Sequence, residues 1–479
     1  MSLKRSIFAS AKAKDNHAVT DRNSGFGNGG CATWNKRAMK FFDRQHEIES
    51  LRRTWEKSRE VAQFTVVTGR RRIGKTTLVL HALADTTVLY FFVSRKAEAE
   101  LCNSFVAEIE ERLGIPMLGH SGRFADIFEY LMKLSKKQHI TLFIDEFQEF
   151  YKVNKSVFSD MQRIWDLNKQ EAHMNLIVGG SVNAMMNKIF RDKKEPLYGR
   201  HTAMMRVRPF TPSVLSEILR TYAPQHTSED LLALYLFTGG VAKYVEVLMD
   251  GGHFTFTDML AAIMHEDSLF LDEGKASLIE EFGRDYGIYF SILSLIAQGH
   301  NTRSDIETML KQEVGGYLTK LMDDYELITK RQPLFEKSSN KGVHYTIDDN
   351  FLAFWFRFIF KYNYMLEIGA HEKLKEIIAR DYETYSGRIL EKYFIEKLAE
   401  SKAYTRIGFW ADRKGENEID IIAADETRRI ADFFEVKRKA ENINLDTLQA
   451  KVAAFQRATG QFVRYAVTCH GLSMDNMTN

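Results

Sequence analysis

The stretch TVVTGRRRIGKTTL, at residues 65–78, constrains the fold of this chain more than any other part of its sequence. It fits the pattern G-x-x-x-x-G-K-[ST], with an apolar strand pattern before it and a helical pattern after it. Glycines let the backbone wrap closely around a phosphate group, so that its N–H groups point inward. The pattern predicts a strand, a phosphate-binding loop and a helix, and the alternative is a chance glycine-rich turn.

The residues of this loop have distinct expected roles. Lys75 would reach the β- and γ-phosphates of a nucleotide, and the Thr76 hydroxyl would hold Mg²⁺. The run of three arginines is expected to be solvated or to contact a neighbouring element, and not to be catalytic. The loop predicts ATP and Mg²⁺ as ligands, and the loop residues assigned to the nucleotide are Gly69, Arg70, Arg71, Arg72, Ile73, Gly74, Lys75, Thr76 and Thr77.

An apolar strand that ends in acidic residues would supply the second half of a nucleotide-hydrolysing site. In HITLFIDEFQEF, an apolar run is followed by Asp145, which would hold Mg²⁺, and by Glu146, which would polarise the attacking water. Ser181, at the end of NLIVGGS, is a candidate sensor of the γ-phosphate. Arg200, in PLYGR, could project into a neighbouring subunit as a catalytic transition-state arginine. The alternatives are a surface acidic pair, a commonplace strand-end serine and an ordinary surface arginine.

Apolar strands alternate with amphipathic helices from about residue 39 to residue 210. Near-continuous apolar strands separated by helices predict a parallel sheet that is covered on both faces. The pattern is helical from 211 to 280. Residues 286–347 then show three helical patterns followed by a hairpin, and this order is typical of a winged helix-turn-helix.

Length and composition limit the class of protein. A chain of 479 residues exceeds one ordinary core, so about two to four domains are expected. The formal net charge of +2 excludes an overall polycation, so any basic surface must be local. Three widely spaced cysteines predict a reducing, cytoplasmic setting. The most apolar run, FLAFWFRFIF at 351–360, is too short to cross a bilayer, which predicts a buried segment in a soluble protein without membrane contact.

Six stretches together resemble the archaeal-type ATPase family, on the AAA+-related branch near the signal-transduction NTPases. They are DRQHEIESL, GRRRIGKTTL, LFIDEFQEF, LIVGGSVNAMM, PLYGR and GGVAKYVEVL, within about residues 40–275. The family usually has Gly-Gly-x-Pro in its lid, whereas here Ala242 stands at the proline position after Gly239 and Gly240. The resemblance implies an intracellular prokaryotic ATPase. Members often end in a winged helix and a domain of unknown function, and YTIDDNFLAFWFRFIFKYN resembles the signature that joins the two.

The stretch GENEIDIIAADETRRIADFFEVKRK places Asp420 on one predicted strand and Glu435 and Lys437 on the next. On adjacent antiparallel strands, Asp420 and Glu435 can face one another, and Lys437 lies on the same face as Glu435. Two carboxylates can hold a metal ion while a nearby lysine polarises water or phosphate. A solvated turn with an acid–lysine pair is the alternative, although the apolar neighbours would pull these charges toward a core edge.

This hairpin, with the preceding helix GRILEKYFIEKL, resembles the PD-(D/E)xK nuclease superfamily over about residues 381–470. The resemblance implies Glu391, Asp420 and Glu435 as metal ligands, with Glu435 and Lys437 acting in catalysis. Ile419 stands where that superfamily often has a proline. A domain that binds nucleic acid without cleaving it remains an alternative.

DNA or RNA is the macromolecular partner that these features predict. The hairpin of the predicted winged helix carries a basic cluster that could contact DNA, although acids near the end of its third helix disfavour phosphate contact. The basic residues are Lys330, Arg331, Lys337 and Lys341, and the acids are Asp323, Asp324 and Glu326.

The predicted fold is an α/β multidomain protein, with a P-loop NTPase parallel sheet, a helical lid, a winged helix and a restriction-endonuclease-like α/β end domain. The predicted function is Mg²⁺-dependent ATP hydrolysis that controls a nuclease-like, nucleic-acid-binding end domain, in a chain that could form a homo-oligomer. One rival is a nucleotide-dependent signalling or scaffold switch with an inactive end domain and protein partners, and another is a nuclease gated by ATP. The expected boundaries are a disordered leader at 1–38, the ATPase core at 39–210, the lid at 211–280, the winged helix at 281–365 and the end domain at 366–479.

Overall fold

The computed structural model describes residues 39–116, 122–283, 286–335, 343–412 and 417–477, so the leader predicted at 1–38 lies outside the described residues. Within the first part of the chain, five parallel strands form one sheet in the order β2-β3-β4-β1-β5. The predicted parallel sheet is therefore confirmed. Its strands are β1 (Gln63–Thr68), β2 (Val88–Phe92), β3 (Ile140–Asp145), β4 (Met174–Gly180) and β5 (Ala203–Arg206).

Helices cover both faces of this sheet, because its central strands are apolar at almost every position. Strands β3 and β4 are buried throughout. In β1, Val67 belongs to a first hydrophobic cluster on one face, and Phe64 and Val66 belong to a second cluster on the other. The helices are α1 (Gln45–Lys57), α2 (Lys75–Ala82), α3 (Glu98–Leu113), α4 (Phe124–Leu134), α5 (Ser156–Asn168) and α6 (Asn183–Arg191), with a short helical turn at 147–153.

Five helices follow the sheet, as the helical pattern at 211–280 predicts. The second of them, α8, is buried at almost every position, so it lies inside the molecule and not on its surface. It begins with a capping box between Thr227 and Asp230, and it ends at Gly239, whose φ is +55°. The five are α7 (Pro212–Tyr222), α8 (Ser228–Thr238), α9 (Ala242–Asp250), α10 (Phe256–Ile263) and α11 (Leu269–Phe282).

Three helices and a two-stranded antiparallel hairpin come next, in the predicted order. Lys337 and Lys341 of the predicted basic cluster lie outside the described residues. The FLAFWFRFIF run is buried at most positions, as predicted, and it contains a π-helical segment at 355–360. The elements are α12 (Tyr286–Gln298), α13 (Arg303–Leu310), α14 (Gly315–Asp323), β6 (Ile328–Arg331), β7 (His344–Ile347), α15 (Asn350–Phe354) and α16 (Asn363–Glu367).

The last part of the chain forms a second sheet in the order β11-β10-β9-β8, in which only β11 runs parallel to its neighbour. Helix α17 packs on one face, where Ile421 and Phe434 join the first cluster, and α18 packs on the other, where Phe433 contacts a third cluster. Leu334 N, just after β6, donates to Phe409 O of β8 at 2.8 Å. The elements are α17 (His371–Glu400), β8 (Arg406–Ala411), β9 (Glu418–Asp425), β10 (Ile430–Val436), α18 (Leu445–Thr459) and β11 (Ala466–Leu472).

Among the helices in the described ranges, none combines the length and the apolar character that crossing a membrane requires.

Candidate functional site

The loop between β1 and α2 has the backbone that its glycines predict. Gly69 has a φ of +146°, and a Cβ there would lie 2.6 Å from the carbonyl oxygen of Val207. Only glycine fits this close approach. The Nζ of Lys75 donates to the carbonyl oxygens of Gly69 at 2.9 Å and Arg70 at 3.1 Å. Burial lowers the pKa of Lys75, and the nearby Glu146, Asp145 and Glu281 carboxylates oppose that shift.

Asp145 stands at the end of β3 and gathers two hydroxyl groups on one oxygen. Its Oδ2 accepts from Thr76 Oγ1 at 2.5 Å and from Tyr90 Oη at 3.1 Å. Burial raises the pKa of Tyr90, and the charge of Asp145 adds to this effect, so the phenol stays a donor. The Thr76 hydroxyl and the Asp145 carboxylate are hard oxygen donors of the kind that Mg²⁺ prefers beside nucleotide phosphates. Binding of Mg²⁺ by this pair stays a prediction.

Glu146 and Ser181 meet at the carboxyl ends of β3 and β4. The Oε2 of Glu146 accepts from Ser181 Oγ at 2.8 Å and from Gln148 Nε2 at 2.5 Å. Glu146 has a φ of +53°, a left-handed backbone that a non-glycine residue adopts only where its surroundings impose it. Since β4 lies between β1 and β3, sheet order brings the loop, Asp145, Glu146 and Ser181 to one edge.

The three loop arginines contact other elements, which was one of the predicted alternatives. Each guanidinium group faces an acidic residue from α11 or from the start of α15, and nucleotide contact by these arginines stays a prediction. The pairs are Arg70 with Asp349, Arg71 with Glu280 at 3.1 Å and Arg72 with Glu273 at 2.7 Å. Of these acids, Glu273 is 2% exposed and also accepts from Tyr244 Oη at 3.1 Å.

Glu281 was not predicted, and it lies close to the loop. One carboxylate oxygen accepts from the backbone N–H of Asn183 at 3.0 Å, and the other is buried without a hydrogen-bond partner among the described residues. Burial raises the pKa of Glu281 to about 7. A cavity of about 540 Å³ is lined by Glu281, Arg70 and Ser181, and also by Lys392 of α17.

Arg200 stands apart from these groups. Its guanidinium group donates to Asp166 of α5 at 3.2 Å. The predicted action of Arg200 in a neighbouring subunit stays a prediction.

In the second sheet, the predicted facing of Asp420 and Glu435 agrees with the strand register. Ile421 pairs with Phe434, so Asp420 and Glu435 occupy the next opposed position. Lys437 bridges the two carboxylates, at 3.4 Å from Asp420 Oδ2 and 3.3 Å from Glu435 Oε1. Burial alone would lower the pKa of Lys437, but the two carboxylates outweigh it and raise the pKa. The lysine is therefore a firmly charged partner of both acids.

Glu391, the third acid of the predicted metal-ligand set, has a basic partner from another segment. Its Oε2 accepts from Arg331 of β6 at 3.3 Å, and burial raises the pKa of Glu391. Across the described ranges, no group of three or more His, Cys, Asp or Glu side chains is arranged to hold a metal ion. The nearby Asp420 carboxylate adds to the rise in the pKa of Glu391, and metal binding by Glu391, Asp420 and Glu435 stays a prediction.

A five-stranded parallel sheet, with a phosphate loop after β1 and an acidic pair after β3, defines a P-loop ATPase fold. Residues 41–248 match a family described as an ATPase domain predominantly from Archaea. Residues 355–450 match a family described as Archaea bacterial proteins of unknown function. An uncharacterized protein of Methanocaldococcus jannaschii is 31% identical over 410 residues, which cover 83% of this chain and 88% of that protein.

The chain therefore belongs to the family of archaeal ATPase-domain proteins, and the predicted membership is confirmed. The Walker-type ATPase of Pyrococcus abyssi shares the fold, with a TM-score of 0.51 at 18% identity over 66% of this chain and 96% of that one. The winged-helix and nuclease-like identities of the later segments stay predictions.

Proposed function

We propose that this protein binds ATP with Mg²⁺ and hydrolyses it at the carboxyl ends of the strands of the first sheet. The observation that carries the proposal is the convergence of Lys75, the Thr76–Asp145 pair and the Glu146–Ser181 pair. These groups come from three adjacent strands, and each has the chemistry that one part of phosphoryl transfer requires.

Each side chain has a defined task. The Lys75 ammonium group would exchange its two backbone carbonyl partners for the β- and γ-phosphates. The Thr76 hydroxyl and the Asp145 carboxylate would hold Mg²⁺, which when bound neutralises charge that develops on the phosphates. Glu146 would orient the attacking water and accept its proton. The Ser181 hydroxyl, which donates to Glu146, would also contact the γ-phosphate, so that the position of the Glu146 carboxylate depends on whether that phosphate is present.

The test compares Lys75→Ala and Glu146→Gln with the wild-type chain. Lys75→Ala should lose ATP binding, whereas Glu146→Gln should bind ATP and hydrolyse it at least about 100-fold more slowly. Lys373→Ala, at a lysine whose side chain is 69% exposed, is the matched control. Hydrolysis at the wild-type rate by Glu146→Gln would contradict the assignment of the water-activating residue.

As a second candidate, we propose that the nucleotide state controls an end domain that engages DNA or RNA. Lys437, held between Asp420 and Glu435, supports a phosphate-facing site on the second sheet. Arg438, the next residue, donates to Glu229 of α8 at 2.5 Å. Helix α8 is followed by α9, which begins at Ala242. The Cβ of Ala242 lies 3.7 Å from the position that a Cβ on Gly74 would occupy. This connection from Arg438 through α8 to the start of α9 supports coupling between the end domain and the phosphate loop.

Binding and cleavage of single- and double-stranded nucleic acid should be measured with and without ATP, in Mg²⁺ and in Mn²⁺. Lys437→Ala should weaken binding, and Asp420→Asn and Glu435→Gln should abolish any cleavage. Lys75→Ala should remove the response to ATP. If no nucleic acid binds while ATP is hydrolysed, the rival proposal of a nucleotide-dependent switch with protein partners gains support. A change of oligomeric state on adding ATP would also favour that rival, and it would test the predicted homo-oligomer.

A further inference from the structure

The acidic residues that face the phosphate-loop arginines belong to segments far away in the sequence. We propose that Glu273 and Asp349 are positioning residues that hold the loop arginines away from the nucleotide and so weaken its ground-state binding. This inference rests on the proposed ATP site, since it concerns the affinity of that site. Residues 273 and 349 lie in α11 and just before α15. The ATP affinity would then depend on how these two segments sit against the loop.

The three ion pairs differ in how well water screens them. Arg72 meets Glu273, whose side chain is 2% exposed, and Asp349 beside Arg70 is 11% exposed. Arg71 and Glu280 are instead 41% and 37% exposed, so their attraction is strongly screened. Glu273 and Asp349 should therefore matter most, and Glu280 offers a matched comparison at the same loop.

The negative charge of the buried Glu273 side chain depends on Arg72. Burial raises the pKa of Glu273, and Arg72 is the foremost group that opposes this shift. A buried carboxylate that lost its cation would be costly, so the pair keeps the Arg72 side chain at α11. An arginine whose guanidinium group is already paired with a carboxylate is not available to form a bidentate contact with a phosphate.

Replacing either acid by its amide changes the charge and keeps the shape. Glu273→Gln can still accept from Tyr244, and Asp349→Asn can still cap α15 through the backbone N–H of Leu352, which now donates to Asp349 at 3.0 Å. Each change removes one negative charge near the triphosphate and frees one guanidinium group. We therefore expect nucleotide to bind on the order of three- to tenfold more tightly.

The experiment titrates the full chain with a fluorescent ATP analogue and Mg²⁺, and it measures KM and kcat for ATP in parallel. Glu273→Gln and Asp349→Asn should lower Kd and KM without raising kcat, because only ground-state binding becomes stronger. Glu280→Gln should change Kd by less than about twofold. Adding Arg72→Gln to Glu273→Gln should abolish the gain, since no guanidinium group is then freed.

A merely structural role would give another pattern. Thermal unfolding of each variant shows whether it is folded, and a folded Glu273→Gln or Asp349→Asn whose Kd is unchanged or higher overturns the inference. If Glu273→Gln does not fold, the Kd of Asp349→Asn alone tests the inference, because that variant keeps the cap of α15 and is expected to fold. Binding by the wild-type chain that does not depend on Lys75 would instead refute the proposed ATP site itself.

Discussion

Gly240, at the junction of α8 and α9, should tolerate alanine far less well than a glycine of the same backbone conformation elsewhere. Its φ is +72°, and a Cβ there would lie 2.2 Å from the carbonyl oxygen of Phe210 and 3.0 Å from its nitrogen. The Phe210 N–H donates to Gly240 O at 2.7 Å, so the two backbones are already in contact. Gly252 has a φ of +73° but nothing within 4 Å of its Cβ position.

Comparing alanine variants at the two glycines therefore separates the cost of backbone strain from the cost of a steric clash. Alanine in the left-handed region costs about 1–2 kcal/mol at either position. At Gly240 the backbone must also shift to admit a methyl group, which adds about 1–3 kcal/mol. We expect Gly240→Ala to lower the free energy of unfolding by about 2–5 kcal/mol, and Gly252→Ala by about 1–2 kcal/mol.

Denaturant unfolding of both variants, followed by circular dichroism, measures the difference. Nucleotide titration gives a second readout, because the chain after Gly240 brings Ala242 against the phosphate loop. Gly240→Ala should weaken ATP binding, and Gly252→Ala should leave it unchanged. An equal loss of stability in the two variants would refute the steric argument, since both share the same φ.

Three further predictions concern partly buried polar groups. Because burial raises the pKa of Glu281 from 4.5 to about 7, the folded chain loses stability as pH rises between these values. Glu281→Gln should therefore stabilise the protein at pH 8 and have little effect at pH 4. Denaturant titrations at the two pH values measure both effects. Tyr90→Phe removes a hydrogen bond to Asp145 and should raise the Mg²⁺ concentration needed for half-maximal ATPase activity, with kcat at saturating Mg²⁺ little changed. A double-mutant cycle on Arg438→Ala and Glu229→Ala should give a coupling energy of about 1.5–3 kcal/mol, and a value near zero would contradict a direct ion pair.

The phosphate loop and its acidic partner could be predicted from the sequence because both depend on local patterns. GRRRIGKTT joins a strand to a helix, and Asp145 and Glu146 directly follow an apolar strand. Sheet order then brings them together, since parallel strands present their carboxyl ends at one edge. The opposed positions of Asp420 and Glu435 followed in the same way from the alternation of strands.

Other residues of the site could not be found in this way, because only tertiary packing brings them there. Tyr90 lies on an edge strand, and nothing in VLYFF distinguishes it from a core tyrosine. Glu281 and Glu273 come from α11, about 200 positions after the loop that they face. Arg331 meets Glu391 from another segment, and nothing in the local sequence around either residue signals this pairing.

The continuity of the first hydrophobic cluster has a consequence for the ATPase half of this chain. The cluster runs from Phe42 to Met477. Within it, Tyr393 of α17 packs edge-to-face against Tyr235 of α8, and Tyr382 of α17 packs at a tilt against Phe256 of α10. Removing the second sheet with α17 would expose these aromatic rings to water. The ATPase half therefore depends on the fold of the second sheet and α17 for cover, whatever side chains that sheet carries on its surface.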